Sequence, residues 1–194
     1  MFVRVKKHNG KEYAYLVENS WTKNGTRQRT KKYLGRLFYF SKNNIPNNIY
    51  NSVEKDSSEL KYYDIEELRQ LDFDSIIKKI LEIELLSLGF KKTEEFLFEK
   101  EHDKKSLIVN LKDLSFIANK KSFVIKNNEG FMCKETIENL LNTKINKKET
   151  ETENRNYLIK NLLKNLLEAG LKPENEMLLL LHDKYLEKIN KEKQ

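Results

Sequence analysis

Residues 11–37 read KEYAYLVENSWTKNGTRQRTKKYLGRL. Tyr13, Tyr15 and Val17 alternate with Ala14 and Leu16. A period of two places successive side chains on opposite faces of a strand. Asn24-Gly25 then interrupts the alternation with a dipeptide that accepts the positive φ angles of a tight hairpin turn. Upstream, Val3 and Val5 alternate with Arg4 and Lys6, and Asn9-Gly10 supplies a second hairpin signal. Strands over 2–6, 11–21 and 26–34, joined by two turns, predict a three-stranded antiparallel meander.

The third strand contains RQRTKKYLGR, residues 27–36, with five positive charges and no negative one. In an unbroken extended strand Arg27, Arg29, Lys31 and Tyr33 point to one face, and Gln28, Thr30, Lys32 and Leu34 to the other. Such a cationic ladder repels itself. A polyanion laid along it removes the repulsion.

The charge balance of the chain agrees with this. Net charge is +7 over 194 residues. Residues 1–40 hold ten Lys or Arg and two acids, Glu12 and Glu18; the rest hold 27 bases and 28 acids. A low-GC genome would enrich Lys and Asn, but along the whole chain. Arginine is the cleaner reporter, and four of the six lie at or before position 36. Guanidinium suits bidentate contact with phosphate, and clustered basic charge is the footprint of polyanion binding.

Beyond the meander the pattern changes. Residues 41–60, SKNNIPNNIYNSVEKDSSEL, are rich in Asn and Ser with little apolar content, and read as a linker. This divides the chain into a basic meander over 1–40, a linker over 41–60 and an α+β domain over 61–190. Asp64 with Glu67 looks like a capping box. Apolar residues at 76, 77, 80, 81, 85 and 88 recur with helical period, with Gly89 and Phe90 as a stop. Short strands are expected over 95–101, 105–111 and 122–126. A helix over 131–142 follows, and then a loop or disordered segment over 143–156. A C-terminal helical hairpin turns at Gly170, with Pro173 in the first turn of its second helix. The predicted class is α+β.

Few groups suggest chemistry. His8, His102 and His182 have no second ligand at metal spacing, and a lone cysteine, Cys133, excludes an internal disulfide and a thiolate metal site. Cys133 beside Met132 reads as a small buried apolar residue, and His182-Asp183 as a partly exposed structural pair. No glycine-rich phosphate loop is present. The strand Leu107 to Lys112 is arranged like that of metal-dependent nucleases, but Asn110 stands where the acid is needed, and a neutral amide is a poor ligand for a hard cation. Asp103 and Glu84 can be offered as partners, but nothing in the sequence fixes them there. Asn127-Asn128-Glu129-Gly130-Phe131 lies between a strand and a helix; Gly130 is able to take positive φ, and Glu129 near the helix N-terminus would favour the helix dipole. No catalytic residue, metal or cofactor is expected. There is no run of 18 apolar residues. The opening MFVRVKKHNG lacks the apolar stretch of a secretory signal. A soluble cytoplasmic protein is expected.

Residues 11–37 also resemble the N-terminal segment of DDE-type insertion-sequence transposases, in which a Tyr-Leu-Val-Glu strand leads to an Arg-Gln-Arg strand ending in Tyr-Leu-Gly. The matching residues are Tyr15, Leu16, Val17, Glu18, Arg27, Gln28, Arg29, Tyr33, Leu34 and Gly35. Similar segments occur in small uncharacterised archaeal proteins, as does a likeness to IKNNEGFMCKETIENLLN. The resemblance implies a DNA-related module. A transposase core needs three carboxylates on a sizeable RNase-H-like fold, and the short strands here offer no such triad.

The expected function is therefore non-catalytic nucleic-acid binding. Phosphate contacts would come from Arg27, Arg29, Lys31, Lys32 and Arg36, with Lys7, Lys11 and Lys23 at the turns. Tyr33 or Trp21 could stack on a base. Four to five such contacts predict a log–log salt slope of roughly −4 on duplex DNA. The C-terminal part is expected to dock a protein partner or a second copy. The alternatives are an interaction or ribonucleoprotein-associated subunit and, last, a degenerate metal-dependent nuclease.

Overall fold

The computed structural model describes residues 1–23, 25–42, 65–142 and 151–192. The class is α+β, as expected. Strands β1 (Phe2–His8), β2 (Lys11–Thr22) and β3 (Gly25–Tyr39) form the antiparallel meander. Asn9 and Gly10 have φ of 47° and 72°, the pair of positive values that their hairpin requires. Helices α1 (Ile65–Arg69) and α2 (Phe73–Ser87) follow, then β4 (Lys91–Glu94), β5 (Leu97–His102), β6 (Lys105–Asn110), β7 (Ser115–Ala118), β8 (Lys121–Asn127) and β9 (Gly130–Met132). The chain continues through α3 (Lys134–Leu141), α4 (Glu151–Glu168) and α5 (Asn175–Glu192).

The meander and the later strands share one sheet, in the order β1-β2-β3-β8-β7-β6-β5-β4, with β9 beside β8. β3 runs five residues past its expected end at 34, and its last four pair in parallel with Phe123–Lys126 of β8. The expected division between 1–40 and 61–190 thus falls across a continuous sheet. Nearly all of the expected linker, and Asp64, lie outside the described residues.

Gly35 makes the β3–β8 junction feasible. Its φ is +136°, and a Cβ there would stand 2.2 Å from the Ser122 carbonyl oxygen. Only glycine allows β8 so close at this point.

Two apolar clusters lie on opposite sides of the β3–β8 junction. The larger contains Phe38, Phe123 and Ile125 with Phe98, Val109, the buried stripe of α2 and the inner faces of α4 and α5. The smaller contains Ala14, Leu34, Leu37, Val124 and Cys133, with Val3, Val5, Leu16 and Phe131 against it. Burial pushes the Cys133 thiol up to about 11, so it is a packed neutral group at neutral pH.

Local signals account for the helix ends. The Asp72 carboxylate accepts from Ser75 N–H at 2.8 Å at the start of α2. That bond holds its carboxyl below the usual range. Gly89 N–H donates to Leu86 O and Phe90 N–H to Leu85 O, the paired closure of the expected stop.

Four expectations need correction. Residues 151–156 are helical, where a loop or disordered segment was expected; an apolar stripe nucleates α4, and extending a formed helix by a turn is inexpensive. α3 starts at Lys134, because Gly130–Met132 pairs with β8 as a strand. Pro173 precedes α5: Leu178 N–H bonds to Glu174 O, so the helix opens after the proline. Glu129 sits in a strand turn, away from the helix start, and it is Asn128, at φ 46°, that takes the positive φ of this turn. Sequence reading also missed β4, β7 and β9, which have three or four residues each.

Candidate nucleic-acid interface

Pairing register assigns each meander residue to a face. Tyr13 pairs with Arg36, Tyr15 with Tyr33, Val17 with Thr30 and Asn19 with Gln28. Between these, Ala14 pairs with Gly35, Leu16 with Lys32, Glu18 with Arg29 and Ser20 with Arg27. The register shifts twice, leaving Leu34 and Lys31 as extra residues on β3. Each is a β-bulge, and each inverts the alternation that follows.

The three cations of the expected ladder do share one face, but Tyr33 leaves it. Tyr33 stands with Thr30 and Gln28 on what we call the tyrosine face. Arg27, Arg29, Lys31 and Lys32 stand on the opposite face, the one that carries Ala14 and Leu16 and packs on Cys133 and Phe131. There Lys31 is paired with Glu18 at 2.7 Å and Lys32 with Glu135 at 2.6 Å. The Lys31 hydrogen bond holds the Glu18 carboxyl below its ordinary value, and the Glu135 bond raises the Lys32 ammonium. Arg27 and Arg29 are exposed further along the β2–β3 ribbon. Lys7 opposes Glu12 on that same face, and Lys23 is exposed at the ribbon tip.

The tyrosine face differs in charge. Both acids of the first 40 residues, Glu12 and Glu18, have the even parity of the opposite face. Glu12 accepts a hydrogen bond from Tyr39 Oη; with burial as the larger cause, that phenol is pushed up to about 12. The tyrosine face carries Arg4, Lys6, Lys11 and Arg36. Arg4 donates to the Gln28 side chain, Lys6 Nζ lies 4.9 Å over the Tyr15 ring, and Arg36 lies 4.7 Å over Phe38. The rings form a cluster, with Tyr33 centroids 6.2 Å from Tyr13 and 5.4 Å from Tyr15. Tyr33 is 46% exposed. Burial, with Tyr13 and Tyr15 adjacent, raises its phenol above the ordinary range, so the ring stays neutral.

At the junction this face deepens into a cavity of about 320 Å³, lined by Lys11, Tyr13, Tyr33 and Arg36 from the meander and by Lys105, Asn119, Lys121 and Ser122 from the later strands, with Phe38 and Ala118 completing the wall. Among the described residues, no carboxylate lines it. The Lys105 ammonium is lowered, first by burial and then by the cations Arg36 and Lys11, with Asp103 opposing. A cation depressed by its cationic neighbours marks a site short of negative charge.

Three sequence-predicted residues, Lys11, Tyr33 and Arg36, thus meet in one pocket. Lys105, Lys121, Tyr13 and Tyr15 were missed. A signal existed for the tyrosines: on β2 the acids share one parity and the tyrosines the other. None existed for Lys105 and Lys121, which the β3–β8 pairing brings in. Trp21 lies on the tyrosine face by register, further along the ribbon, and is 86% exposed.

Elsewhere, the Asn110 side chain accepts from Lys112 N–H at 2.8 Å, a local turn. Among the described residues no group of three or more His, Cys, Asp or Glu could hold a metal ion, and no helix is long and apolar enough to cross a membrane. Comparison of the chain with protein-family models, curated proteins and solved structures finds no match.

Proposed function

We propose that this chain is a non-catalytic, cytoplasmic nucleic-acid-binding protein that holds phosphates on its tyrosine face. The observation that carries the reading is charge segregation. The cations of this face lack carboxylate neighbours from the meander, whereas Lys31 and Lys32 on the reverse are each neutralised. Lys11, Arg36, Lys105 and Lys121 are the principal phosphate contacts, with Arg4 and Lys6 beside them. The transposase-like segment would then supply nucleic-acid contact apart from any transposition chemistry.

Fluorescence anisotropy of labelled oligonucleotides across a salt series tests this. Four phosphates held give a log–log slope between about −2.5 and −4. No binding, or affinity indifferent to salt, removes the proposal.

The C-terminal part would dock a second copy or a protein partner, as in an interaction or ribonucleoprotein-associated subunit. Leu163 and Leu167 on α4 and Leu179 on α5 are 42%, 57% and 67% exposed. Sedimentation velocity is expected to show self-association that weakens in Leu163→Glu with Leu167→Glu. A monomer at every concentration would eliminate the dimer.

A further inference from the structure

We infer that the polynucleotide bound by this face is single-stranded, with its phosphates held by Lys11, Arg36, Lys105 and Lys121 and an adjoining base stacked on the Tyr33 ring. This rests on the nucleic-acid reading above and adds the form of the ligand. Two observations carry it.

The first is the shape of the platform. The pocket is lined from β2, β3, β8, β7 and β6, five neighbouring strands of one sheet. At the usual strand spacing they span about 19 Å, against a major groove about 12 Å wide. A lone two-stranded ribbon enters that groove; this platform does not. The second is the placement of the rings. Tyr13 and Tyr33 line the same cavity as the four cations, and Tyr15 packs on Tyr33 from the neighbouring strand. A duplex keeps its base faces stacked inside and offers such rings only sugar and phosphate. A single strand offers an aromatic face beside every phosphate, the combination that a cationic groove with stacking residues recognises. Trp21, exposed on the same face, extends the row of stacking surfaces.

Single-stranded DNA and single-stranded RNA share this chemistry, so the experiment carries both. Anisotropy is read with single-stranded DNA, single-stranded RNA and a blunt DNA duplex of one length, using the full chain, Tyr33→Ala and Tyr33→Phe. The full chain is expected to bind at least one single strand about tenfold or more tighter than duplex. Tyr33→Ala should weaken that binding between about fivefold and about a hundredfold, the range for removing one base stack, with the duplex unaffected. Tyr33→Phe keeps the ring and should keep the affinity, which separates stacking from folding. Duplex bound as tightly as single strands, or Tyr33→Ala weakening both alike, overturns the inference while leaving nucleic-acid binding in place. Failure to bind any of the three overturns the function itself.

Discussion

Arg36→Glu combined with Lys105→Glu is expected to weaken nucleic-acid binding at least about 100-fold, since each cation can supply a charge-assisted hydrogen bond of ~1.5–3 kcal/mol. The two residues come from strands 69 positions apart in sequence and meet in one cavity. Both are only partly buried, so they can be changed without opening the core. The substitution also reverses local charge, so the remaining Lys11 and Lys121 would be neutralised within the protein. The salt slope should fall in magnitude by about 2, one unit for each phosphate no longer held. The informative comparison is Arg27→Glu with Arg29→Glu, which changes net charge by the same amount. Those residues lie on the reverse of the sheet, toward Glu18. Their substitution should weaken binding only through long-range attraction, which salt screens over about 8–10 Å. Equal weakening by the two double variants would show that total charge governs binding, and that the tyrosine face has no special role.

Gly130→Ala should have the largest effect on folding. The β8–β9 turn is pressed onto the C-terminal end of α4. A Cβ on Gly130 would lie 2.0 Å from the Leu167 carbonyl oxygen and 2.3 Å from Gly170 N, both backbone atoms. Neither can move without separating α4 from the sheet. The same junction is held by Asn127, a buried amide that donates to Gly170 O at 2.8 Å and to Glu84 at 3.2 Å. Asn128 donates to Gly170 O as well. Overpacking a rigid contact and straining this network should destabilise the fold by about 3 kcal/mol or more. Urea denaturation reads it directly. Gly10→Ala is the control: beyond its chain neighbours nothing lies within 4 Å of its added methyl, so only its φ of +72° resists, at about 1 kcal/mol. A Gly130→Ala midpoint equal to that of Gly10→Ala would contradict the contact. β8 also carries Lys121 and Ser122, so loosening this junction should reach the pocket.

Local chemistry made most of the elements legible. Asn9-Gly10 announced its hairpin because those two residues tolerate positive φ, and the 76–88 stripe announced α2 because helical spacing is visible in one dimension. The short strands β4, β7 and β9 are set by their neighbours, and three or four residues hold too little pattern to read. For the site, the excess of cations in the first 40 residues and the tyrosine at position 33 could be read directly.

Which cations lie together could not. Strict alternation put Arg27, Arg29, Lys31 and Tyr33 on one side; the bulge at Lys31 placed Tyr33 opposite the other three, and the bulge at Leu34 brought Arg36 to the side of Tyr33. A bulge is decided by how a strand must bend to satisfy both its partners. Here β3 leaves β2 to pair with β8, bringing together residues 87 positions apart at Arg36 and Phe123. The charges and rings are properties of single residues and are written in the order of the chain. The pocket that joins Arg36 to Lys105 and Lys121 is a property of long-range strand pairing, and that pairing is chosen by packing on two apolar clusters at once.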